Sequence, residues 1–346
     1  MSTSRFDVLC IGNAIVDVIA PTDDAFLARE GLDKGSMRLI DAEEAERLYG
    51  RMGSTREISG GSAGNTVAGL CSLGGRGAYF GKVADDSLGA AFRRDIRAAG
   101  VHFETAPLAG AAAVPTARSM ILVTPDGERT MNTFLGACVR LGPADIDEEV
   151  VAASEIVYLE GYLWDPPEAK EAFRKAAAIA HAHHRRVALT LSDSFCVDRW
   201  RTEFLDLLRS GLVDLVFANQ AEVGALYETA DLDAGIARLR RDVGLAAVTL
   251  SAEGSLVVSA DEVVRVAAAP VERVIDTTGA GDLYAAGFLY GLTHGHDHRD
   301  AAALGGLLAA DIIARVGARS DSDLVDLARR AGLSIGTAER IERADR

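Results

Sequence analysis

Residues 274–291 read VIDTTGAGDLYAAGFLYG. An apolar strand end, Val274-Ile275, runs through Asp276-Thr277-Thr278 into Gly279-Ala280-Gly281 and then Asp282. From Leu283 to Leu292, small and apolar residues recur at helical spacing. Glycines ahead of a helix leave backbone N–H groups free to face a ligand, and those groups together with the helix dipole attract an anion. Asp282 stands inside that anion site, where a carboxylate repels a phosphate. Either it is a first-turn residue complementing the dipole, or it takes the proton of a hydroxyl that attacks the phosphate.

A second glycine-led helix start lies far upstream. Glu57-Ile58-Ser59 leads into Gly60-Gly61-Ser62-Ala63-Gly64-Asn65-Thr66, and a helix continues from Val67 to Leu73. Before it, the strand Phe6 to Ile11 ends at Gly12-Asn13. A second strand, Ala14 to Ala20, carries one acid, Asp17, among Ile15, Val16, Val18 and Ile19. Such an acid is either exposed at an edge or held for a ligand.

Residues 101–137 differ in character. Val101 to Glu104, Ala117 to Thr124 and Thr130 to Leu135 read as strands, the last two joined by the turn Pro125-Asp126-Gly127-Glu128. Arg129 follows that turn, in TPDGERTMNTFLGA. From about Leu141, strands and helices alternate: strand Ile156 to Leu159, helix Glu168 to Ala182, strand Val187 to Leu191, helix Thr202 to Leu208, strand Leu215 to Ala218. This alternation predicts a doubly wound α/β fold with a mostly parallel sheet. Asn219-Gln220-Ala221-Glu222 then falls at a strand's carboxyl end, where open α/β sheets bind ligands. It reads equally as an N-cap Asn with a first-turn Glu. A strand Ala247 to Leu250, a hairpin Leu256 to Val266 and an alanine-rich helix, Ala301 to Ala314, follow.

The 346-residue chain is 49% hydrophobic and 25% charged, ordinary for a soluble globular protein. A net charge of −15 argues against a nucleic-acid or anionic-membrane partner. No apolar run is long enough to span a bilayer and no basic-then-apolar leader opens the chain, so a cytoplasmic location is expected. Cys10, Cys71, Cys138 and Cys196 lack metal or disulfide spacing and read as core residues. There is no GxxxxGK[ST], the GxG at residues 279–281 meets Tyr at position 284, and His298-Arg299-Asp300 lacks the rest of a protein-kinase loop. His181, His183 and His184, and His294, His296 and His298, read as solvated groups rather than metal ligands.

Taken together, DTTGAGD, GGSxxN, Gly12-Asn13 with Asp17, GKVADDSLG and NxxE resemble the PfkB/ribokinase family of sugar and nucleoside kinases over nearly the whole chain. One departure is Ala84, where the family commonly has glycine. The resemblance implies a ribokinase-like doubly wound sheet over residues 1–12, 43–100 and 138–346, with a small β-sheet lid made by residues 13–42 and 101–137. It implies ATP as donor, with Gly279, Ala280 and Gly281 as the anion hole and Asp282 as the base. Arg129 would approach the transferred phosphate when the lid closes. Asn13, Asp17, Gly60, Gly61 and Asn65 would bind the acceptor sugar. Asn219, Thr249 and Gly254 would border the nucleotide, with Glu222 organising Mg²⁺ through water. Asp276 and Thr278 match positions that in some members surround a monovalent cation such as K⁺. Ser62 stands where ribokinases usually carry lysine, and GNAIVD and TPDGERTMNTFLGA look more like the adenosine kinases and their nucleoside-kinase relatives. The expected reaction is therefore phosphorylation of a nucleoside 5′-hydroxyl, adenosine to AMP, with Ile15, Phe134 and Tyr162 as candidates for an apolar slot around the base. A ribokinase- or fructokinase-like sugar kinase is the alternative, and a non-catalytic nucleoside- or nucleotide-binding regulator a more distant one. The chain would act as a monomer or homodimer on a small molecule.

Overall fold

The computed structural model describes residues 4–110 and 114–335. Thirteen strands of these residues form two sheets. In chain order they are β1 (Phe6–Ile11), β2 (Ile15–Pro21), β3 (Met37–Leu39), β4 (Arg56–Gly60), β5 (Gly77–Phe80), β6 (Ala117–Val123), β7 (Arg129–Phe134), β8 (Ser154–Glu160), β9 (Arg186–Thr190), β10 (Leu215–Asn219), β11 (Leu245–Thr249), β12 (Ser255–Ser259) and β13 (Val263–Val266). The large sheet runs β13-β12-β11-β10-β9-β8-β1-β5, and the small one β3-β7-β6-β2-β4.

From β11 to β5 every pairing in the large sheet is parallel, with β12 and β13 added antiparallel at one edge. Parallel strands need crossovers, and the crossover helices cover both faces. The period-2 alternation of strands sorts the side chains. In β8, Val157 and Leu159 enter the core beneath the helices Pro167–Ala182 and Ser194–Arg209. Ile156 and Tyr158 enter the opposite core, beneath Ser62–Ser72, Ala280–Thr293 and His298–Ile313. The doubly wound expectation therefore holds.

The small sheet buries one face under two short helices. Asp24–Glu30 is capped by Asp23, and Ala42–Tyr49 by Asp41, each accepting an N–H three residues on. Their Leu27, Ala45 and Leu48 pack with Ala20, Met120 and Leu122. These contacts move the expected lid boundary. Residues 43–60 pair and pack with the lid, because β4 is hydrogen-bonded antiparallel to β2 and the helix at 42–49 fills the lid core, and they also touch the large domain through Tyr49, Met52 and Ser59. His102, by contrast, bridges to Ala78 and Leu108 to Ala84, so 101–108 follow the edge of the large sheet instead of forming a lid strand. The parts of the expected boundaries at 1–3, 111–113 and 336–346 lie outside the described residues.

The chain passes between the sheets at β1 to β2, β4 to β5, β5 to β6, and β7 to β8. The first crossing contains Gly12-Asn13 and the second begins at Gly61-Ser62. Both substrate-end motifs therefore sit where the two sheets join.

Candidate active site

The helix Ala280–Thr293 starts without a side-chain cap. Its N-cap, Gly279, has φ 78° and ψ 0°, a left-handed conformation that favours glycine. A Cβ there would also lie 2.8 Å from Cβ of Ala318. Ala280 N donates to Thr277 O (3.2 Å), while no side chain caps the next two amides, Gly281 N and Asp282 N, which are left to a ligand. They face a cleft of about 1230 Å³ bordered by Asn219, Thr249, Gly254, Thr277, Ala280, Gly281 and Tyr284. Ala302, Gly306, Ala309 and Ala310, all from the helix His298–Ile313, and Ile313 at its end form a flat apolar wall. Volume, apolar wall and uncapped helix start together fit a nucleoside triphosphate.

Asp282 sits in the first turn and meets the other glycine-led helix. Ser62 Oγ donates to its Oδ1 (2.6 Å) and Asn65 Nδ2 to its Oδ2 (2.9 Å). Burial raises the Asp282 pKa, while these two bonds and the Arg319 charge pull it back. Asn65, expected on the acceptor, is thus bonded to Asp282. Ser62 is a member of the site that the motif reading treated only as a missing lysine.

Asn13 and Ala63 converge on a carboxylate that sequence reasoning missed. Glu160, at the end of β8, is 1% exposed. It accepts from Asn13 Nδ2 (2.8 Å), Asn13 N (3.3 Å) and Ala63 N (2.8 Å). Burial pushes its pKa to about 7 against those bonds. Asn13 Oδ1 is buried without a partner, a free acceptor beside the crossing. Nothing in VYLEG distinguishes Glu160 from an ordinary strand-end acid; only the sheet topology brings it to Asn13.

Asp17 is half-buried and lies on Gly60, where a Cβ would be 2.4 Å from Oδ2. Burial pushes the Asp17 pKa to about 7, opposed by Arg319 and Arg129. Gly60→Ala is expected to displace this carboxylate. If Asp17 holds the acceptor, KM for the acceptor rises about 10- to 100-fold, the worth of a charge-assisted hydrogen bond, with kcat little changed. Steady-state kinetics on the variant check this, and an unchanged KM removes Asp17 from the acceptor site.

Arg129, the first residue of β7, reaches across from the lid. Its Nη1 lies 2.7 Å from Asp276 Oδ2 and 3.3 Å from Thr278 Oγ1, and both acid and arginine are buried. Asp276 also accepts from Thr278 N (3.0 Å), Thr278 Oγ1 (2.7 Å) and Gly317 N (2.9 Å). With Arg129 in place, the residues do not fit a monovalent cation, since the carboxylate is already neutralised and fully engaged. Arg129 Nε and Nη2 are buried without partners.

Asn219 and Glu222 form a reciprocal capping box. Glu222 accepts from Asn219 N (2.9 Å) and Nδ2 (2.6 Å), and Asn219 Oδ1 accepts from Glu222 N (2.9 Å). Burial pushes the Glu222 pKa to about 7. Among the described residues no cluster of three or more His, Cys, Asp or Glu could hold a metal ion. Both Glu222 oxygens are engaged by Asn219.

The expected base-slot residues lie on three segments of the chain. Ile15 begins β2 opposite Gly60, and Phe134 is half-buried against the lid core. Tyr162 is 41% exposed, with its hydroxyl donating to Ser192 O (3.2 Å). Close by in sequence to Ser192 lies Phe195, 80% exposed in the first turn of Ser194–Arg209 and overlooked by the sequence reading. An exposed ring just past a strand's carboxyl end could have flagged it.

No helix among the described residues is long and apolar enough to cross a membrane. The four cysteines are free, three of them buried.

Similar proteins match this chain over nearly their full length. The crystal structure of adenosine kinase from Sinorhizobium meliloti is 61% identical, covering 95% of this chain and 100% of that one, with a TM-score of 0.87. That of a probable sugar kinase from Rhizobium etli CFN 42 is 54% identical, covering 96% and 100%, with a TM-score of 0.88. Adenosine kinase of Saccharomyces cerevisiae is 26% identical over 93% of this chain and 99% of its own length. The profile of the pfkB family carbohydrate kinases matches residues 5–324, from β1 to the start of the last helix, and takes in every motif of the site. The chain belongs to the pfkB family.

Proposed function

We propose that the chain phosphorylates the 5′-hydroxyl of a nucleoside with ATP, adenosine being the first candidate. The observation that carries this reading is the place of Asp282. It stands where the uncapped helix start of the nucleotide cleft meets the Ser62–Asn65 turn of the acceptor side. A hydroxyl seated there has a proton acceptor beside it and free N–H groups beyond it for the transferring phosphoryl group.

Ser62 and Asn65 hold the Asp282 carboxylate in one orientation, leaving remaining lone pairs for the substrate proton. Asp17 and the free Oδ1 of Asn13 offer acceptors to ribose hydroxyls. Arg129 has two unpartnered buried donors, suited to phosphate oxygens. Mg²⁺, when bound, would neutralise phosphate charge, and Glu222 would reach it through water. Tyr162, an exposed ring that feels the Asp282 charge, favours a nucleoside over a free sugar, because it gives a planar base an apolar surface. The names of two relatives, adenosine kinase from Sinorhizobium meliloti and from Saccharomyces cerevisiae, support the same choice.

ADP release from Mg-ATP, measured in parallel with adenosine, inosine, guanosine, ribose and fructose, tests the reading. Turnover with adenosine is the expected outcome. Turnover with a free sugar alone overturns the substrate and keeps the mechanism. Binding of nucleoside without any turnover overturns both.

A further inference from the structure

Three consecutive residues after the helix His298–Ile313 touch three separate parts of the site. Gly317 N donates to Asp276 Oδ2 (2.9 Å). Ala318 lies against Gly279, the helix start of the proposed anion hole. Arg319 Nη2 donates to Ser59 O (2.8 Å) and Ser59 Oγ (3.1 Å). Ser59 precedes Gly60, on which the Asp17 carboxylate rests, and it is paired with Val16 across the lid sheet.

This strap is fixed from both ends. Asp95 accepts from Ser59 N (2.7 Å) and Oγ (2.5 Å), holding the arginine's partner. Asp311 accepts from Ser320 Oγ (2.5 Å), Ser322 Oγ (2.8 Å) and Arg315 Nη2 (2.7 Å), holding the chain that follows. Arg319 Nε is buried without a partner. The guanidinium is thus a placed charge, not a solvated surface group.

We propose that Arg319 is a positioning residue for phosphoryl transfer: it locks the end of β4, and with it the seat of Asp17, onto the strap that touches Asp276 and Gly279, and it supplies the positive charge that Asp17 and Asp282 share. The proposal rests on the kinase reading above. Asp17 faces Arg319 and Arg129, which favour its charge, and Asp282, which opposes it. Asp282 faces Arg319, the Ser62 hydroxyl and the Asn65 amide. Glu160 and Asp17 are the acids nearby that feel the Asp282 charge. Arg319 itself faces Asp95, Asp17, Asp282 and the Tyr79 hydroxyl. Burial lifts the pKa values of Asp17 and Asp282, and Arg319 opposes that lift at both. Loss of its charge therefore moves both further upward, and more of each acid is protonated at neutral pH.

The test is the pH profile of kcat/KM for the acceptor between about pH 5 and 9 in the wild type, Arg319→Met and Arg319→Lys. The Met variant is expected to lose about 10- to 100-fold at neutral pH and to have its acidic limb moved up by about one pH unit. The Lys variant should return the limb to its wild-type position and restore the rate only in part, because an ammonium lacks the guanidinium fork. A folded Met variant whose limb does not move, or whose rate falls equally at every pH, overturns the proposal. If the Met variant fails to fold, Arg319→Gln, which retains a donor without the charge, must give the same limb shift or the idea falls. A wild type inactive on every acceptor sinks the kinase reading instead. The charge assignment then stands or falls on whether ¹³C-carboxyl NMR titration of Asp17 and Asp282 differs between wild type and variant.

Discussion

Asp282→Asn is expected to lower turnover by roughly 10²- to 10⁴-fold, the usual contribution of a positioned base. An amide has the carboxylate's size but cannot take the hydroxyl proton. Its oxygen can accept from Asn65, and its NH₂ can donate to the Ser62 hydroxyl once that hydroxyl turns. Both partners stay satisfied, so the fold should lose no more than about 1 kcal/mol. The N–H groups of the helix start do not change, so ATP affinity should hold. ADP release with the best acceptor, read beside ATP titration and thermal melting, separates these terms. Wild-type turnover in a well-folded variant would falsify the assignment of Asp282 as base.

The second large effect concerns stability. Glu160 is enclosed by three N–H donors, and its pKa is raised from 4.5 to about 7 by burial. The sign follows from linkage. A carboxylate whose folded pKa lies above its unfolded value contributes stability that is fully present below about pH 4.5 and lost as pH rises through 7. Glu160→Gln cannot titrate. The stability of the wild type relative to this variant should therefore fall between pH 4.5 and 7.5, by up to about 3 kcal/mol. The variant also carries a local penalty that does not vary with pH, since its amide NH₂ must point at a donor, Ala63 N or Asn13. Urea unfolding of both proteins at several pH values measures the difference. Parallel curves across the range would mean that folding does not raise the Glu160 pKa.

The sheet class, the helix starts at Gly279 and Gly61 and the acid at 282 were legible because each is a local pattern. Glycines, capping residues and the alternation of β8 or β10 are set within a few residues of chain. The lid boundary was less legible. REISG at 56–60 carries little strand signal, and it becomes β4 only because β2 offers an edge. Glu160, Ser62 and Arg319 were missed for the same reason. Ser62 and Asn65 meet Asp282 across more than 200 residues of sequence, and Arg319 meets Ser59 across an even longer span. No periodicity spans such distances. Asp276 illustrates the converse, since its motif suggested a cation while the lid's Arg129 supplies one from the chain itself.

The crossings between the two sheets have a mechanical consequence. The residues proposed to hold the acceptor, Asn13, Gly60 and Gly61, lie at the joints and not at the free edge of the lid. The start of β6 and the end of β7 lie in the same row, so a rotation of the small sheet pivots about that row, and the opposite strand ends, at Pro21, Val123 and Arg129, sweep the wide arc while the acceptor subsite barely shifts. A bound sugar bridging Asn13 and Gly61 then works as a splint across an axle. It stiffens the joint it occupies, and filling the acceptor subsite and closing the lid become one event with one entropic cost.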